Sequence, residues 1–125
     1  MILALGGVDM DESILDSIRK IIGNGELDDF FNQDLCFAIN SVLMQAHSMG
    51  LVNDDYAIKD NTKKWKDILL RPEQINLHAL ISWAALRTRL LFDPPTSATL
   101  MNSVKEEAAR LEWYIYITEN YVGEI

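Results

Sequence analysis

His47, His78, Cys36 and a short acidic run at Asp9, Asp11 and Glu12 are the residues whose chemistry could make a site. A structural zinc takes four nitrogen or sulfur ligands. The two histidines fall in different predicted helices, with no further His or Cys at ligand spacing. They read as partly buried residues of an ordinary fold. The acidic run lacks the glycine and the distant glutamate of a calcium loop and reads as a solvated helix start. Gly6-Gly7 and Gly23-Asn24-Gly25 lack the lysine and the preceding strand of a phosphate cradle, so both are turns. No serine sits in a nucleophile elbow, and neither histidine has an acid partner at close spacing. Cys36, flanked by Leu35 and Phe37, is the sole cysteine. It can form no internal disulfide and reads as a small packed hydrophobe. These residues predict no enzyme, metal or cofactor.

Charge is distributed unevenly. The formal net charge is −8, and residues 1 to 55 hold ten acids against Arg19 and Lys20, while residues 56 to 125 hold nine of each sign. An acidic half repels phosphate, so tight nucleic-acid binding is disfavoured. Asp9, Asp11, Glu12, Asp16, Asp28 and Asp29 form a candidate acidic face. The opposite anomaly is Lys59, Lys63, Lys64, Lys66 and Arg71, five of the eleven basic residues. Lysines discourage edge pairing in a solvated hairpin. They could also meet an acidic partner, for which the N-terminal half of an identical neighbour is a candidate. Trp113 and Tyr114, adjacent on a predicted helix, point about 100° apart and are hard to bury together in a small monomer. With Tyr121 they are candidate subunit contacts.

The elements that position these residues are mostly helical. At 125 residues, with 49% hydrophobic and 24% charged, the chain fits one domain over 1–125. No apolar stretch reaches the roughly 20 residues of a membrane span. The N-terminus lacks the basic start of a signal sequence, so export is not expected, and the lone packed cysteine makes the cytoplasm the expected compartment. A first helix after Asp11, the N-cap candidate, would bury Ile14, Ile18, Ile21 and Ile22 and end at Gly23. Residues 26–34 read as an acidic linker anchored by Leu27, Phe30 and Phe31, with Asn32 or Asp34 capping the second helix. That helix, over 33–49, would bury Leu35, Ile39, Val42, Leu43 and Ala46 and end at Gly50. Residues 56–59 and 63–66 suit a short β-hairpin. A turn of helix comes next at 67–70. Pro72 would open a third helix over 73–92 with two apolar faces: Leu77, Ile81, Ala84, Thr88 and Leu91, and Leu80, Trp83 and Leu90. Asp93-Pro94-Pro95 halts it. A fourth helix over 98–121 repeats Met101, Val104, Ala108, Leu111, Ile115 and Thr118 at steps of three and four. Glu106 would pair with Arg110, and Glu112 would face water. The expected fold is a mainly α bundle of about four helices, with a long antiparallel helical hairpin and a short β-hairpin insertion.

The run Leu86-Arg87-Thr88-Arg89-Leu90-Leu91-Phe92-Asp93-Pro94-Pro95-Thr96-Ser97, followed by Leu111-Glu112-Trp113, resembles head-tail connector proteins of long-tailed bacteriophages. Ile39-Asn40-Ser41 and Trp65-Lys66-Asp67 are similar to that family as well. The likeness covers about residues 12–117, and its most specific piece is the Phe-Asp-Pro-Pro-Thr-Ser turn. The segment 47–55 departs from the family's pattern. The resemblance implies a virion structural subunit that forms a homo-oligomeric ring between the portal and the tail or neck proteins. DNA would pass through such a ring without specific binding, and no membrane would be involved. Assembly would take place in the host cytoplasm. The competing reading, from charge alone, is a monomeric acidic binding module, an inhibitor or host-takeover factor. An enzyme assembled from distant residues is the third.

Overall fold

The computed structural model describes residues 10–23 and 32–121. Among them are four α-helices: α1 (Ile14–Ile22), α2 (Asn32–Ser48), α3 (Leu77–Phe92) and α4 (Ala98–Tyr121), with a 3-10 turn at Trp65–Asp67. One apolar core draws on all four helices and on the segment between α2 and α3. Helix α3 packs against α1, α2 and α4. Its two apolar faces explain this: Leu80, Ile81, Trp83, Ala84 and Thr88 are fully buried, whereas Leu91 is left exposed at the helix end.

Helix α1 is capped by Ser13 rather than by Asp11. The Ser13 hydroxyl accepts the Asp16 N–H at 3.2 Å, which satisfies one of the orphan donors of the first turn. Gly23, at φ 80°, ends the helix in the left-handed conformation that a side chain resists. The buried residues are Ile14, Leu15, Ser17 and Ile18, and Ile21 is exposed. The expected isoleucine stripe therefore fails at its third member. The indole of Trp65 covers Ser17, and Ile21 lies one turn beyond that cover.

The stripe expected on α2 is buried in full, from Leu35 through Ala46, together with Cys36. Burial pushes the Cys36 thiol's pKa up, as befits a packed cysteine. Asn32, expected as a cap, lies within α2, where its side-chain Oδ1 accepts from the Arg19 guanidinium at 3.0 Å. Gly50, at φ 79°, turns the chain, and the Leu51 N–H reaches back to the Ala46 carbonyl at 3.1 Å. The anchoring role expected of Leu27, Phe30 and Phe31 lies outside the described residues.

No β-hairpin joins residues 56–59 to 63–66, and no strand is present among the described residues. The segment 63–66 pairs instead with the lead into α1. Ser13 and Lys64 form an antiparallel bridge, the Ile14 N–H donates to Lys63 at 3.0 Å, and the Lys66 N–H donates to Met10 at 3.0 Å. A second bridge joins Val52 to Leu69. The reason is side-chain burial. Trp65 and Ile68 are fully buried, and Trp65 donates its indole N–H to the Ser17 hydroxyl at 2.8 Å. Docking on α1 satisfies that donor, which a solvated hairpin would leave to water. Residues 56–59 are held separately, because the Asn40 side chain accepts from the Ile58 N–H at 2.8 Å and donates to its carbonyl at 2.9 Å.

Helix α3 begins at Leu77, not at Glu73. Pro72 opens only one turn, and Asn76, in extended conformation, caps the helix by accepting the Ala79 N–H at 3.1 Å. Helix α4 has the expected bounds and buries Val104, Ala108 and Ile115. Its ion pair with Arg110 comes from Glu107 rather than Glu106.

Thr88 is fully buried and its hydroxyl has no hydrogen-bond partner. Desolvating a hydroxyl without compensation costs about 1–3 kcal/mol. Thr88→Val keeps the branched shape and removes that cost, so it is expected to raise stability by about 1 kcal/mol in urea unfolding. A loss of similar size would show that the hydroxyl is satisfied in solution.

The lead into α1 is also held by an exposed ion pair, Lys66 to Asp11 at 2.8 Å. The hydrogen bond and charge of Lys66 hold the Asp11 carboxyl below its usual range, and Asp11 in turn raises Lys66. A depressed carboxyl contributes stability above its unfolded value, near pH 4, and loses it as pH falls through the folded value. Asp11→Asn is therefore expected to lower the melting temperature slightly at pH 7 and to matter less at a pH well below 4, as the carboxyl of the native chain becomes protonated. Equal loss at both pH values would rule out the charge as the cause.

Candidate interaction surfaces

The lysines and acids singled out in the sequence meet within one chain. Lys66 reaches Asp11, and Lys20 reaches Glu12 at 3.0 Å. Asp16 accepts from the Asn61 amide at 3.3 Å. Lys63 is tied down further: its ammonium donates to the Asp55 carbonyl at 2.7 Å and the Ala57 carbonyl at 2.8 Å, and it pairs with the Asp55 carboxylate at 3.3 Å. It closes the loop that precedes it. Lys59 and Lys64 are exposed. The Lys64 backbone N–H donates to the Asp67 carboxylate at 2.9 Å, which anchors the 3-10 turn. Asp9, Asp28, Asp29 and the Tyr121 side chain lie outside the described residues.

On α4, Trp113 is 61% exposed and Tyr114 43%. The α-helical offset that separates them leaves both partly in solvent. The Tyr114 hydroxyl accepts from the Asn76 amide at 3.2 Å, at the start of α3. Trp113 stacks on Tyr116, with ring centroids 5.7 Å apart and an angle of 16° between planes. One helical turn separates these two residues, so the stack forms within α4.

Glu112, read from the sequence as solvent-facing, is half-buried and joins three helices. Its Oε1 accepts from the Trp83 indole at 3.1 Å, the Arg87 guanidinium at 3.2 Å and the Gln45 amide at 3.4 Å. Trp83 is fully buried, so its N–H needs an acceptor inside the protein. Helical spacing on α4 placed Glu112 at the edge of the apolar stripe, but nothing local showed that α3 would present donors there. The Arg87 Nε stays buried without a partner.

His47 is exposed rather than partly buried. Its Nε2 lies 2.7 Å from the Asp54 carboxylate, and its ring packs on Tyr56 with centroids 5.4 Å apart. His78 is exposed on α3. No group of three His, Cys, Asp or Glu able to hold a metal occurs among the described residues. Nor is any helix among them long and apolar enough to cross a membrane.

Several residues of the family-like motifs thus make internal contacts. Asn40 clasps Ile58, Trp65 bonds to Ser17, and Arg87 of the proline-corner motif meets Glu112 of the downstream one. No curated protein and no solved structure matches the chain. Residues 14–122 match the family described as phage connector protein. That span takes in all four helices and the Trp65, Arg87 and Glu112 contacts, and on it the chain belongs to the phage connector protein family.

Proposed function

We propose that this protein is a non-enzymatic structural subunit of a phage head-tail connector, present in the virion as a homo-oligomeric ring. In this reading it joins the portal to tail or neck proteins and leaves a channel through which DNA passes. The observation that carries the reading is the family match across 14–122. The α3–α4 pair acts in it as a long antiparallel hairpin. Contacts from Asn76 to Tyr114 and from Arg87 to Glu112 support that arrangement. So does the break at Asp93-Pro94-Pro95, where a helix cannot continue.

Charge supports the channel. A conduit through which a polyanion slides must not adhere to it, and the acidic surplus of residues 1–55 supplies repulsion. In the proposal Asp9, Asp11, Glu12, Asp16, Asp28 and Asp29 line that side. The exposed Lys59 and Lys64 face an acidic neighbour, together with Lys63 and Lys66, which also pair with Asp55 and Asp11 of their own chain. Trp113, Tyr114 and Tyr121 contribute subunit contacts.

Negative-stain microscopy of the full chain mixed with the portal protein encoded beside it tests the reading. A ring of this chain seated on the portal is the expected result. A chain that stays monomeric and leaves the portal bare would favour the acidic binding module instead.

A further inference from the structure

The side of α4 that faces away from the core is apolar at its centre. Ala109, Tyr116 and Ile117 each lie three or four residues from Trp113, and all four are exposed. Helical spacing puts them on one stripe, opposite the buried Val104, Ala108 and Ile115. Trp113 is 61% exposed, Tyr116 46% and Ile117 36%, and the rings of the first two stack into one plate. Three large side chains on one helical face hold a contiguous apolar patch in water, which single exposed side chains do not.

The charges beside this stripe match when the helix is reversed. Lys105 lies about two turns before Trp113, and Glu119 about two turns after it, on the same edge of α4. Lys105 is exposed and makes no salt bridge with a described residue.

We propose that two copies of the chain pair through this face, α4 against α4 and antiparallel, about a two-fold axis beside Trp113. Reversal about that axis brings Lys105 of each copy to the level of Glu119 of the other, so an acid meets a base at both ends of the contact. Between them the two Trp113 side chains meet at the axis, and each Tyr116 falls at the level of Ala109 of the second copy. The alanine leaves room for the ring, and the indoles pack offset or edge to face. The helix dipoles agree, because the positive amino end of each α4 then lies beside the negative carboxyl end of the other. A parallel pair would set Lys105 against Lys105 and Glu119 against Glu119, and like charges reject it. The face thus carries both halves of its own match, and this makes a second copy its occupant.

Such a contact uses the same patch on both chains and closes at two copies, so by itself it builds no ring. It is a contact of the free chain. In the connector reading above these aromatics contribute to subunit contacts, so the pair opens when the chain joins a ring; the pairing itself stands without that reading.

Sedimentation equilibrium of the full chain alone tests this, with far-UV circular dichroism reporting the fold of each variant. The native chain is expected to dimerise, and Trp113→Ala to weaken the dimer at least tenfold. Lys105→Glu and Glu119→Lys are each expected to weaken it about tenfold, since each change sets like charges together at two places. Combining the two changes in one chain restores opposite charges and is expected to return the affinity to within about threefold of native. A native chain that sediments as a monomer would overturn the pairing and leave the connector reading to the portal experiment. A dimer indifferent to Trp113→Ala would overturn the choice of face, and a double variant no tighter than the single ones would overturn the antiparallel register.

Discussion

A single carboxylate oxygen, Oε1 of Glu112, holds the helical body together. It receives donors from α2 and α3 while belonging to α4, so it sets how far each helix can slide along the others. The acceptor is charged and half-buried, where hydrogen bonds gain strength and the indole of Trp83 has no water to turn to. Apolar burial is non-directional and fixes the register of a helix less sharply than a hydrogen bond does. The bonds to Glu112 remove that freedom, and the aromatic stack of Trp113 and Tyr116 is placed as a consequence.

The same logic extends to the rest of the fold. Trp65 is anchored through Ser17 and Ile58 through Asn40, each a pairing of a polar group with one buried donor or backbone unit. These anchors coincide with the short motifs by which the chain resembles connector proteins. Several positions behind the resemblance thus belong to the interior framework. The residues proposed to contact partners lie at the surface, and two of them, Trp113 and Lys66, fall within those same motifs.

Periodicity made α2 and α4 legible from the sequence, because seven-residue and longer repeats of apolar positions admit one buried face. The double proline was equally plain. The segment 51–69 was not. Its apparent hairpin satisfied local composition, but Lys64 pairs with Ser13, 51 positions away, and Trp65 chooses the partner through burial. Short-range signals cannot rank a distant strand partner above a near one. The choice of Glu107 over Glu106 for Arg110 is a matter of rotamer, since both spacings are favourable on a helix. Glu112 looked solvent-facing because its donors, Gln45, Trp83 and Arg87, come from other helices. The candidate surface residues were readable only as types: exposure of Trp113 followed from its neighbour, whereas the tethering of Lys63 to Asp55 and Ala57 did not.

The direct test of this account is urea unfolding of Glu112→Ala beside Glu112→Gln. The alanine strands the buried Trp83 N–H and the Arg87 guanidinium, and a loss of about 1–3 kcal/mol is predicted. The glutamine keeps an acceptor oxygen and should lose distinctly less. An alanine variant that unfolds at the same urea concentration as the native chain would contradict the claim that Glu112 holds the helices together.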